Sequence, residues 1–90
     1  MADDDQLLQI YGNLKMYDRT IAIWKARVEK NPKDFTLNLN LASAYYAAGD
    51  KVATIAQLKA MQQLDITKAA QLQTLIDQLS AMPANIQVGQ

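Results

Sequence analysis

The sequence predicts an all-α fold of short antiparallel helices stacked as repeats, and three observations predict it. Apolar residues step by three and four in five separate stretches, the spacing of one buried helix face. Between the stretches stand residues that end helices, among them Pro32 and the pair Gly49 and Asp50. The chain also repeats itself at an offset of 34 residues. Leu7 falls on Leu41, Tyr11 on Tyr45, the run Thr20, Ile21, Ala22 on Thr54, Ile55, Ala56, and Lys25 and Ala26 on Lys59 and Ala60. That makes seven identities between 1–34 and 35–68, where roughly two are expected by chance for ordinary composition.

Each helix has its own warrant. The first is expected over 3–14, with Leu7, Ile10, Tyr11 and Leu14 on one face and Asp3, Asp4 and Asp5 at the start, where carboxylates suit the helix dipole. The second, over 18–30, carries Ile21, Trp24 and Val28 and stops ahead of Pro32, which cannot continue a helix. Leu37, Leu41, Ala44, Tyr45 and Ala48 define the third, over 35–48. Gly49 suits a left-handed C-terminal cap, and Asp50 then caps a fourth helix over 51–64 built on Ile55, Leu58 and Met61. The fifth is expected over 67–81, with Thr67 at its cap, Ala69, Leu72, Leu75, Ile76 and Leu79 inward, and Gln71, Gln73, Thr74, Asp77 and Gln78 elsewhere. The same offset places Leu75 on Leu41 and Leu79 on Tyr45, so two full units are followed by half a unit, a capping helix. Residues 82–90, with a proline, a glycine and no strong period, read as a disordered tail.

Composition narrows the function classes. Ninety residues make one domain, here 1–81, and nine basic residues balance nine acidic ones. No net field draws the chain to nucleic acid, and no basic run suggests anionic lipid. Histidine and cysteine are both absent. The commonest general base, metal ligand and activated nucleophile are therefore missing, and we expect no enzyme, no catalytic residue, no metal and no cofactor. The start lacks an apolar leader core and no run reaches the ~18 apolar residues of a membrane span, which points to a soluble, cytoplasmic segment without membrane contact.

A 34-residue helix-turn-helix period with these fixed positions resembles the tetratricopeptide repeat family. In the first unit Leu7, Tyr11, Tyr17, Thr20, Trp24 and Pro32 match its pattern; in the second Leu41, Ala42, Tyr45, Gly49, Asp50, Thr54 and Leu58 do, and the likeness covers about residues 3–81. Asp4, Leu8 and Ile66 depart from it. So do Arg27 and Met61, which stand where the family prefers alanine; the arginine stem is expected to lie along the packed surface with its head in solvent. The resemblance implies two tetratricopeptide-type repeats, about 1–34 and 35–68, and a capping helix over 67–81, stacked as a short right-handed superhelix. It also separates the adjacent tyrosines, which point about 100° apart on a helix. Tyr45 holds the family's core position beside Trp24, and Tyr46 lies on the concave face.

The resemblance further implies a concave groove lined by Gln9, Asn13, Leu39, Asn40, Ser43, Tyr46, Gln73 and Asp77, polar and nearly uncharged. Such a lining suits a segment of a partner protein. One branch of the family grips a C-terminal carboxylate with lysines, an arginine and asparagines; here only Asn40 matches, while Asp5, Gln9, Ala70 and Thr74 take the other places, so a carboxylate would find no cation. The expected function is a non-catalytic protein-protein interaction module. Its alternative is a structural unit that assembles with copies of itself, as a homo-oligomer, or a terminal fragment of a longer repeat protein, because fewer than three repeats make a marginal solenoid.

Overall fold

A computed structural model describes residues 4–82, and among them every regular element is helical. The order is α1 (Asp4–Asn13), α2 (Tyr17–Lys30), α3 (Phe35–Ala47), α4 (Lys51–Leu64), a single 3₁₀ turn at Ile66–Lys68, and α5 (Ala69–Ser80). Each helix packs against its neighbours in the chain, α1 on α2, α2 on α3, α3 on α4 and α4 on α5. The extents are 41 × 32 × 14 Å, thin enough for only two helices to stack at the usual 8–10 Å separation. No described helix is long and apolar enough to cross a membrane. Residues 83–90, most of the expected tail, lie outside the described residues, as does Asp3; the first tail residue, Met82, is held, its carbonyl accepting from Lys51 Nζ at 2.7 Å.

Local chemistry sets the helix ends. Asp34 accepts from the Leu37 amide at 3.1 Å to open α3, and Asp50 accepts from the Ala53 amide at 3.0 Å to open α4. Gly49 closes α3 with φ of 79°, the left-handed cap its sequence position suggests. Lys15, 34 residues earlier, takes the same left-handed turn at φ 57° without being glycine. The repeat shows in the buried hydroxyls too: Thr20 donates to the Tyr17 carbonyl and its counterpart Thr54 to the Asp50 carbonyl. Thr67 is not the side-chain cap of α5. It sits inside the 3₁₀ turn and donates both its amide and its hydroxyl to Asp65, which caps that turn. An aspartate can accept several hydrogen bonds at once, so it outcompetes a hydroxyl for the role.

The core is unevenly placed. Buried apolar residues are Leu41, Ala42, Ala44, Leu58, Met61, Leu72, Ile76 and Leu79, all on α3, α4 and α5. The first two helices bury only Thr20. Leu41 is 3% exposed whereas its counterpart Leu7 is half-buried, because α1 packs only on α2. Trp24, expected in the core, is half-buried and lies under the Arg27 guanidinium, 4.7 Å from ring centre to charge. The head of Arg27 also reaches Asp5 at 3.0 Å. The arginine therefore follows the expected surface path but ends on partners. Its counterpart Met61 is fully buried, so α4 packs onto an apolar stem where α2 meets a cation. Both tyrosines of the α3 pair are half-buried, and the one that packs against the α3–α5 core cluster is Tyr46. With α5 covering the end of the array, the buried side of α3 turns toward α4 and α5 and takes in Tyr46.

A buried amide ties the layers together. Asn38 donates to the carbonyls of Asp34 at 2.8 Å and Pro32 at 3.1 Å, and accepts from Gln57 of α4 at 2.6 Å. All of its buried polar capacity is used, which fixes the α2–α3 turn against α4.

Candidate functional site

A pocket of about 250 Å³ opens between α3 and α5, with α4 as its floor. From α3 come Leu39, Ala42, Ser43 and Tyr46, spaced by three and four so that they share one flank. The floor is Thr54 and Leu58. Leu75, Gln78 and Leu79 of α5 form the far wall, and Met82 closes one end. No ionisable carboxylate or ammonium lines it. The wall is more apolar than the sequence suggested, with Ser43, Thr54 and Gln78 as its polar groups beside one tyrosine.

Three of the residues inferred from sequence meet here: Leu39, Ser43 and Tyr46. Gln73 and Asp77 do not. Gln73 donates to Asp77 at 3.0 Å and accepts from Gln62 of α4 at 3.1 Å, which holds both on the other flank of α5. Asn40 is half-buried beside the pocket's flank, and Gln9 and Asn13 are exposed on α1, away from it. The reason is geometric. Equivalent repeat positions name the same flank of α3 and of α5, but a pocket between them is built from the trailing flank of one and the leading flank of the next. Leu75, Gln78 and Met82 supply that leading flank. Their spacing of three and four was readable as a second stripe beside Leu72, Ile76 and Leu79.

Comparing the two units explains why the pocket is open only here. Shifting its residues back by 34 gives Asp5, Leu8, Gln9 and Gly12, over Thr20 and Trp24, facing Leu41, Ala44 and Tyr45. Leu8 stands for Ala42 and Trp24 for Leu58, so the floor of the first unit is bulkier. Leu41 and Ala44 are buried at that junction, whereas Leu75 is 40% exposed at the second. The Asp5–Arg27 ion pair runs from α1 to α2 in the first unit, where the second offers Leu39 and Met61. No known protein-family model, curated protein or solved structure matches the chain. The reading of the pocket therefore rests on its own chemistry.

That chemistry is adhesive rather than reactive. A side chain entering the pocket would meet leucine and methionine surface and a tyrosine ring, and a backbone crossing its rim would find hydroxyl and amide partners in Ser43 and Gln78. Met82 is anchored for this role: Lys51 Nζ bonds its carbonyl at 2.7 Å and that of Ser80 at 3.2 Å, satisfying the open end of α5 with a cation.

Proposed function

We propose that this chain is a non-catalytic interaction module that seats an uncharged, apolar segment of a partner protein in the groove between α3 and α5. The observation that carries the reading is a ring of three large apolar side chains around one pocket: Leu39 at 41% exposure, Leu75 at 40% and Met82 at 39%. An exposed apolar pocket with a few polar groups and no charge matches the desolvated centre of an interface. Charge is also withheld from the surroundings. Across the 25 residues of α3 and α5 the single charged side chain is Asp77, on the flank away from the pocket. A charged ligand residue would lose hydration there without gaining a partner. In this reading the helix pairs form tetratricopeptide-type repeats in a short right-handed superhelix, with the pocket on its concave side.

Selection of peptides from a random displayed library, with the 90-residue chain as bait and Leu39→Asp as counter-bait, tests this. Leu39→Asp places at 39 the residue that the first unit carries at the equivalent position, and it changes an exposed site. Selected peptides should be apolar and uncharged at their anchors. Calorimetry should show Tyr46→Ala or Leu39→Ala weakening them by about 1 to 3 kcal/mol, as interface anchors do, with little change between low and high salt. Peptides that bind Leu39→Asp as well as the unaltered chain would end the reading.

A further inference from the structure

At the opposite end of the molecule from that pocket, α1 leaves an apolar face uncovered. Leu7, Leu8 and Tyr11 turn toward α2 and are half-buried, while Ile10 and Leu14, on the adjoining stripe, are 47% and 64% exposed. No described helix other than α2 packs on α1, and α1 buries nothing. The ends of this helix carry opposite charge. Asp4 and Asp5 occupy its first turn, and Lys15 follows its last, exposed in the left-handed turn. Neither Asp4 nor Lys15 makes an ion pair with another described residue.

We infer that this face pairs with the same face of a second copy, α1 against α1 in antiparallel orientation. A two-fold contact asks for a patch complementary to itself, and this one is. Setting Leu7 of one copy opposite Leu14 of the other brings the two Ile10 side chains together near the axis. The same register puts Lys15 beside Gln6 and within a turn of Asp4 and Asp5 of the partner copy. Acid meets base twice, once on each side of the axis. A parallel pairing would instead set Asp4 and Asp5 against their own copies, and like charges so placed repel. Covering Ile10 and Leu14 gives the poorly buried first hairpin the apolar contact its sequence supplies but its own fold leaves unused. The α3–α5 pocket stays open in such a dimer, so this inference and the groove reading stand or fall separately.

The test uses the full 90-residue chain, which contains no cysteine. Sedimentation equilibrium across micromolar to millimolar concentration should show a dimer, which Ile10→Asp converts to monomer while circular dichroism keeps the same helicity. Lys15→Glu, which touches no packing, should raise the dissociation constant by about two- to thirtyfold, since two-fold symmetry doubles the effect of each surface pair. Ile10→Cys should form an interchain disulfide under mild oxidation, and Gln63→Cys, exposed on α4, should not. A chain that stays monomeric at millimolar concentration overturns the inference. So does a dimer indifferent to both Ile10→Asp and Lys15→Glu, or one that crosslinks through Gln63→Cys but not Ile10→Cys, since such an assembly uses another surface.

Discussion

Lys15 and Gly49 occupy equivalent turns, yet only one is glycine. A side chain in the left-handed region crowds its own carbonyl at a cost of roughly 1 to 2 kcal/mol, of which glycine's looser unfolded state returns a part. Lys15→Gly should therefore raise stability by about 0.5 to 1 kcal/mol in urea denaturation; a loss would mean that the lysine makes a contact worth more than its strain. Tyr46 has the reverse character. The sequence places it on the surface and Tyr45 in the core, but Tyr46 packs on the cluster around Leu58 and Met61. Tyr46→Ala should cost about 2 kcal/mol, part of the 3 to 5 for a wholly buried aromatic, and the groove variant Leu39→Ala under about 1 kcal/mol. Equal costs for the two would show that Tyr46 stands clear of the core. What could be read from sequence at this scale was chemistry local to a few residues: Gly49, Asp50 and Thr54 each do what their type and position dictate. Which of two adjacent tyrosines faces the core depends instead on where α5 lands, 23 or more residues further on.

Between elements, the α4–α5 junction is the one place where an ionisable group is visibly tuned. The Thr67 hydroxyl holds the Asp65 carboxyl below its ordinary value, aided by the Thr67 amide and Lys68 against partial desolvation. A folded value below the unfolded one contributes stability that is present above about pH 4 and fades as pH falls through the lowered value. Asp65→Asn should destabilise the chain at pH 7, and denaturation midpoints of the two proteins should draw together at pH 3. A gap that widens on acidification would reverse the assignment. The helices themselves were legible to within two residues, because capping aspartates and helix periodicity are local signals. The start of α5 was not: Asp65 and Thr67 form their own 3₁₀ turn, which delays the helix to Ala69. The pocket's far wall was missed for a related reason. Repeat arithmetic finds equivalent positions, and Leu75, Gln78 and Met82 face the pocket through their place between non-equivalent flanks.

At the scale of the molecule, stability is graded along the chain. Buried apolar residues lie on α3, α4 and α5, and α1 has none. Met61→Ala should cost about 2 to 5 kcal/mol, the range for a fully buried methionine, and act on the whole fold. Amide hydrogen exchange should rank α1 and α2 well below α4 in protection, because opening the first hairpin exposes little apolar surface. Uniform protection in dilute monomer would contradict this order. The thinness of the array has one more consequence. Since each helix answers only to the helix before and the helix after it, the chain is extensible in the way a stack of tiles is. Copying residues 35–68 in tandem would insert a hairpin without asking any distant residue to move, and each inserted hairpin would bring its own Leu39, Ala42 and Tyr46 to a new seam. A ligand carrying two apolar anchors on one strand could then engage adjacent seams together, the second at an effective concentration set by the tether rather than by the solution.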